Sequence, residues 1–177
     1  DPRALRLFAT GLEERLSALP GVVATGLGQR LPLSGRGPSA GLRVEGREQD
    51  PNDQLDTVWR LVSPSWFGTL GVSVLKGRAF AARDTTTAER VAVVNASLAR
   101  RIFGDLDPIG RRLGTGLDGP QGTWVTVVGV VADMPQENVA SDVKPELYRP
   151  LAQDVRMSPS SLVAVVRALL EEVAVRA

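Results

Sequence analysis

The residues best suited to chemistry are a close pair of carboxylates, Asp105 and Asp107, and a third, Asp133, just past an apolar run. Paired acids can hold a hard cation or share proton transfer, but a calcium loop needs further oxygen ligands at fixed spacing, and none follows. Asp107 precedes Pro108, which makes that stretch a turn former. Asp133 reads as a cap or turn at the exit of the apolar run, the commoner role for an isolated carboxylate. Two glycine-rich stretches invite a phosphate-loop reading. Gly26-Leu27-Gly28 lacks the third glycine of a dinucleotide fingerprint, and a loop rich in Pro, Gly and Ser follows it rather than a helix. The stretch Gly114-Thr115-Gly116-Leu117-Asp118-Gly119 lies between two strand-like segments, so a hairpin connection is expected. Glu13-Glu14 and Glu171-Glu172 read as solvated helix faces.

Composition removes several other chemistries. The chain has 0 cysteines and 0 histidines, which excludes a disulfide framework, a thiol nucleophile, a Ser-His-Asp triad and a His-rich metal site. Carboxylate, Lys or Tyr chemistry survives. No P-loop motif occurs, so nucleoside triphosphate hydrolysis by that route is absent. A formal net charge of +1, from 21 basic and 20 acidic residues, argues against nucleic acid as a partner. Three tryptophans raise a carbohydrate- or peptide-binding alternative through Trp66 or Trp124. Trp66 and Phe67 share a short helix with Leu70, so core or lobe-interface packing is the expectation for Trp66.

These residues need elements to position them, and the pattern supplies a mixed α/β chain. The length of 177 residues and the 43% hydrophobic content suit one domain or two small lobes. Leu5, Phe8, Leu12 and Leu16 predict a helix over 4–19, stopped at Leu19-Pro20-Gly21. Strands are expected over 22–27, 41–47, 57–62 and 72–75. Ser63-Pro64 has the form of a helix start carrying Trp66, Phe67 and Leu70, with Ser63 as N-cap. Val91 to Val94 reads as a buried strand, and Asn95 caps a helix over 96–103. A strand begins at 110–113. Trp124 to Ala132 is the strongest strand, with six β-branched residues in nine. Extended segments at 146–151 and 161–167 follow, and 168–175 favours helix. No segment reaches the roughly 20 apolar residues that cross a bilayer.

One run goes further than pattern. Leu61-Val62-Ser63-Pro64-Ser65-Trp66-Phe67-Gly68-Thr69-Leu70-Gly71-Val72, then Leu75-Lys76-Gly77-Arg78-Ala79-Phe80 and Asp84, resembles the MacB-like periplasmic core domain of ABC transporter permeases in the FtsX/MacB superfamily. The resemblance continues in order through Val91 to Asn95, Ala99 to Phe103, Asp107 to Arg112, Val127 to Asp133 and Pro145 to Leu151. It covers roughly residues 3–167.

The resemblance implies an α+β fold of two lobes. A porter-like βαβ lobe would comprise residues 1–81 and 143–177, with a smaller α/β lobe, residues 82–142, inserted in it. It implies a non-catalytic domain at the periplasmic face of the inner membrane, with no cofactor and no metal, and leaves the substrate-binding residues unassigned. The implied partner is a cytoplasmic ABC-type nucleotide-binding domain, fused or separate. There is room for a periplasmic adaptor, an outer-membrane channel and a permease homodimer. The implied role is to relay ATP-driven movement to export or lipoprotein handling. Relatives continue past the strand near Leu162–Arg167 with a turn, a helix and a further strand, whereas Ala168 onward shows no turn here. A porter-like lobe shortened at this end is therefore expected, with a transmembrane helix before Asp1 and more after Ala177.

Overall fold

The computed structural model describes residues 2–35, 37–48, 55–115, 123–135, 143–154 and 162–169. Helix α1 (Pro2–Ser17) leads into β1 (Val22–Gly28), β2 (Ser39–Val44) and β3 (Asp56–Val62). Next come α2 (Trp66–Leu70), β4 (Val74–Gly77), β5 (Val91–Asn95) and α3 (Ala96–Phe103). Strands β6 (Arg112–Thr115), β7 (Thr123–Val131) and β8 (Glu146–Pro150), a 3-10 turn (Leu151–Gln153) and β9 (Val163–Ala168) complete the order. The expected α+β class is what the chain adopts.

Among the described residues the strands form one nine-stranded sheet, ordered β2-β6-β7-β5-β8-β3-β1-β9, with β4 pairing to β7. Strand β2 bonds to β6 through Leu42–Val44 and to β3 through Ser39–Gly41, so the strands from β2 round to β3 close on themselves. Strands β6, β7 and β5 lie side by side in this ring. Strand β8 joins them to the rest, parallel to β3 and antiparallel to β5.

Alternation along the strands divides the core by face. Ala92 and Val94 pack with Leu98 and Phe103 of α3, Leu113, Val125, Val127 and Leu147. Val91 and Val93 pack on the other face with Trp66 and Phe67 of α2, Val62, Val131 and Tyr148. Helix α1 lays Ala9 and Leu12 over Leu27 and Leu61. A strand buried on both faces carries apolar residues in succession, as Val91 to Val94 of β5 do.

Several local readings change: β2 ends at Val44, where the Arg47 amide turns back on the Val44 carbonyl, so it does not run to 47, and β6 begins at Arg112, later than 110. Phe8 is 57% exposed while Ala9 is buried, because the inward arc of α1 centres one residue further round than the Phe8–Leu12 step suggests. Ser63 does not cap α2: Ser65 takes that position without a side-chain bond, and Ser63 begins the preceding turn by accepting from the Trp66 amide. Strand β4 starts later than 72, since the Val72 amide closes the end of α2 on the Phe67 carbonyl. Ala168 ends β9 instead of opening a helix, paired opposite Val22. The rest of the helix expected over 168–175, beyond Leu169, lies outside the described residues, as do Glu171 and Glu172.

Candidate functional site

The densest buried polar constellation sits on β8. Glu146, Tyr148 and Arg149 are each no more than 1% exposed. Parallel pairing sets Arg60 of β3 beside Tyr148, which brings the Arg60 guanidinium onto the Glu146 carboxylate. Tyr148 donates its hydroxyl to the second Glu146 oxygen at 2.7 Å, and Arg60 Nη1 donates to the Arg30 and Leu31 carbonyls at 3.2 Å each. From the other side Asn95 Oδ1 accepts the Glu146 amide at 2.9 Å. One carboxylate thus ties β3 to β8 and, through its own backbone, to the end of β5. Burial pushes the Tyr148 phenol well above its usual range, and the negative charge of Glu146 adds to that. The phenol therefore stays a donor at physiological pH. Paired, hydrogen-bonded and buried, these groups have the features of a structural lock, with a narrow cleft among Pro32, Arg60, Trp66, Met134, Pro135 and Glu146 beside them.

Two further ion pairs secure the ends of this region. Arg149 and Asp154, 1% and 2% exposed in their side chains, lie 3.2 Å apart where β8 meets the 3-10 turn. Arg78 grips Asp84 through two bonds of 2.8 and 2.9 Å, and Asp84 also accepts the Ala81 amide. Burial pushes the Asp84 carboxyl up, but the Arg78 bonds, the Ala81 amide and the Arg78 and Arg83 charges outweigh it and hold it below the usual range. The Gly77-Arg78…Asp84 spacing noted in the sequence is thus a clamped loop.

The residues singled out for chemistry are dispersed. Asp107 accepts from the Ile109 amide at 3.1 Å and sits 4.0 Å from Lys76, as a turn residue would. Asp133 accepts both the amide and the hydroxyl of Ser97 at the start of α3, at 2.9 and 2.8 Å, so it caps a helix from a neighbouring strand's exit. Asn95 caps the same helix by accepting from the Leu98 amide. Glu13 accepts from Ser63 at 3.1 Å and from Ser65. Strands β6 and β7 pair antiparallel up to Thr115 opposite Thr123, as a hairpin requires, while residues 116–119 of its loop lie outside the described residues.

Gly26 and Gly28 have a packing reason. A Cβ on Gly26 would lie 2.9 Å from the Trp66 Cα, and one on Gly28 2.8 Å from the Trp66 ring. These glycines let α2 settle on the sheet. Trp66 is 0% exposed and cannot stack on a ligand, whereas Trp124 is half-buried with the Arg43 and Arg112 guanidinium groups 5.4 and 5.7 Å from its ring centre. An open cleft of ≈ 430 Å³ lies between α1 and α2, lined by Glu13, Ser17, Thr25, Ser65, Thr69 and Arg167 among others. Among the described residues no group of three or more acids could hold a metal ion, and no helix is long and apolar enough to cross a membrane.

Sequence reasoning missed Arg60, Glu146, Gln153 and Asp154 as interior groups. One signal was present: Arg60 shares a strand face with Val58 and Val62, where a charge needs a buried partner.

A family model described as the MacB-like periplasmic core domain matches residues 12–177. No curated protein sequence matches the chain. Among solved structures, the periplasmic region of MacB from Actinobacillus actinomycetemcomitans aligns with a TM-score of 0.59 at 17% identity. That alignment covers 88% of this chain and 62% of that one, so the chain spans less than two thirds of that relative. The extracellular domain of the noncanonic ABC-type transporter YknZ from Gram-positive bacteria aligns with a TM-score of 0.57 at 19% identity, covering 88% of this chain and 70% of that one.

Proposed function

The chain belongs to the MacB-like periplasmic core domains, extracytoplasmic domains of ABC transporter permeases that work with an ATPase partner, and we propose that it is a non-catalytic mechanical relay. In this reading a cytoplasmic nucleotide-binding domain, fused or separate, hydrolyses ATP. The domain carries the resulting displacement to export or to lipoprotein handling in the periplasm. A periplasmic adaptor or outer-membrane channel would receive the movement, and a permease homodimer would present two such domains.

The observation that carries the reading is the continuity of the sheet. We propose the two lobes, residues 1–81 with 143–177 and residues 82–142, as two regions of one hydrogen-bonded surface. Strands β5, β6 and β7 of the second segment lie side by side, and β8 joins them to β3. Displacement of one region would then be passed on by backbone pairing and the Glu146 lock, where a flexible linker would absorb it.

A test follows from the lack of cysteine. Leu106 is 60% exposed, so Leu106→Cys gives this domain one site for a spin or fluorescent label, with any cysteine elsewhere in the permease and its ATPase replaced first. In the parent permease with its ATPase, the label is expected to report a nucleotide-dependent change in position. A signal unchanged through ATP turnover would contradict the relay. The alternative, a free-standing carbohydrate- or peptide-binding module, now rests on Trp124 alone. Trp124 fluorescence against sugar and peptide panels, with Trp59 and Trp66 replaced by Phe, decides it: a saturable response supports that module, and a flat one removes it.

A further inference from the structure

The chain passes twice between the two regions of sheet, and each passage meets a neighbouring strand only at its ends, through the Arg78 amide to Val128, the Arg90 carbonyl to the Thr126 amide, and the Pro145 carbonyl to the Val58 amide. The outgoing passage, residues 78–90, runs from β4 to β5. The return passage enters β8 through residues 143–145. At the end of each, a buried side-chain amide from the opposite region takes hold of the backbone.

Gln153, in the 3-10 turn after β8, is 4% exposed. Its Oε1 accepts the Val91 amide at 3.0 Å, and its Nε2 donates to the Thr85 and Glu89 carbonyls at 3.1 and 2.8 Å. Asn95, at the end of β5, is 0% exposed. Its Nδ2 donates to the Lys144 carbonyl at 2.9 Å, while its Oδ1 accepts the Glu146 and Leu98 amides, both at 2.9 Å. An uncharged amide both donates to carbonyls and accepts from amides, on separate atoms, so it can stand in for a strand partner without burying a charge.

We propose that Gln153 and Asn95 form a reciprocal pair of clamps that lock the two passages, each clamp belonging to the region opposite the one whose entry it holds. Releasing one loosens the stretch that it holds, from Thr85 to Val91 for Gln153 and from Lys144 to Glu146 for Asn95, and leaves the Arg78–Asp84 clamp and the rest of the sheet folded. The lock stands on the domain alone; its use in transmitting movement rests on the relay reading above.

Amide exchange followed by NMR on the 177-residue chain tests the lock without the transporter. Gln153→Met keeps the length of the side chain and removes its donors and acceptor. It is expected to speed exchange at Val91 by about tenfold, the scale of one lost net hydrogen bond, with β1 and β3 unchanged. Asn95→Ser keeps an acceptor for the α3 cap but no amide to reach Lys144. Exchange is expected to quicken at Glu146 while Leu98 keeps its protection. If either variant fails to fold, Gln153→Glu preserves the acceptor to Val91 and removes both donors. Trypsin should then cut first at Arg83 or Arg90, in the loosened passage. Uniform acceleration across all slow amides, unchanged exchange at Val91 and Glu146, or a first cut elsewhere would overturn the clamps. Intact clamps in a transporter whose label does not move would count against the relay only.

Discussion

Strands β8 and β9 carry compositions that suggest the reverse of their places. Strand β8 reads Glu-Leu-Tyr-Arg-Pro and lies in the middle of the sheet with every residue buried. Strand β9 reads Val-Ala-Val-Val-Arg-Ala and lies at an end of the sheet, with Val166 42% exposed. Hydropathy states what a residue gains from burial; pairing decides which strand is enclosed. The interior can hold β8 because its charges arrive with partners: Glu146 with Arg60 and Tyr148, Arg149 with Asp154. Without those partners the desolvation cost would exclude the strand.

The sharpest way to break this contrast is Glu146→Ala. It leaves Arg60 enclosed without its carboxylate and should destabilise the domain by about 3–5 kcal/mol, read by urea denaturation. A loss below about 1 kcal/mol would mean that water reaches Arg60, and that β8 is less enclosed than described. Next in size is Gly28→Ala, which puts a methyl against the Trp66 ring. Overpacking of this kind costs about 1–3 kcal/mol, and Trp66 emission should shift with the displaced ring. An unchanged melting temperature would show that α2 has room to retreat.

Those two expectations also mark what was legible in the sequence. The helix over 96–103, its Asn95 cap and the strongest strand could be read locally, since periodicity and capping act over a few residues. The burial of Trp66 and Phe67 could be read too, from the short helix they share with Leu70. Closure of the strands through β2 could not, because it depends on pairing Ser39–Gly41 with Asp56–Val58 and Leu42–Val44 with Leu113–Thr115. The Glu146 constellation was hidden for the same reason: Arg60 lies 86 residues away in the chain. Its carboxylate and phenol both fall inside the Pro145 to Leu151 block of the family resemblance, yet that block alone does not say what they face.

Acidity probes a smaller contribution. Asp84 has its carboxyl held below the usual range, so its stabilisation is present above the unfolded carboxylate value, about pH 3.9, and is lost as pH falls through the folded value. Arg78→Gln should therefore flatten the loss of stability on acidification below about pH 4. Equal acid sensitivity of variant and parent would remove Arg78–Asp84 as its source. Smallest of all should be Val166→Lys in β9, within about 0.5 kcal/mol of the parent, because that residue is exposed at an end strand, where a lysine can reach water. A large loss there would show that β9 is covered as thoroughly as β8.

The account turns on the claim that the buried Glu146 of β8 is stabilised by Arg60 across the sheet. The most direct measurement is a double-mutant cycle on Arg60→Met and Glu146→Gln, read by denaturant unfolding. Each single substitution strands the other partner, so the account predicts that the double variant loses less than the sum of the two singles, by about 1–3 kcal/mol. Additive losses would contradict it, and would reduce the Arg60–Glu146 contact to coincidental proximity.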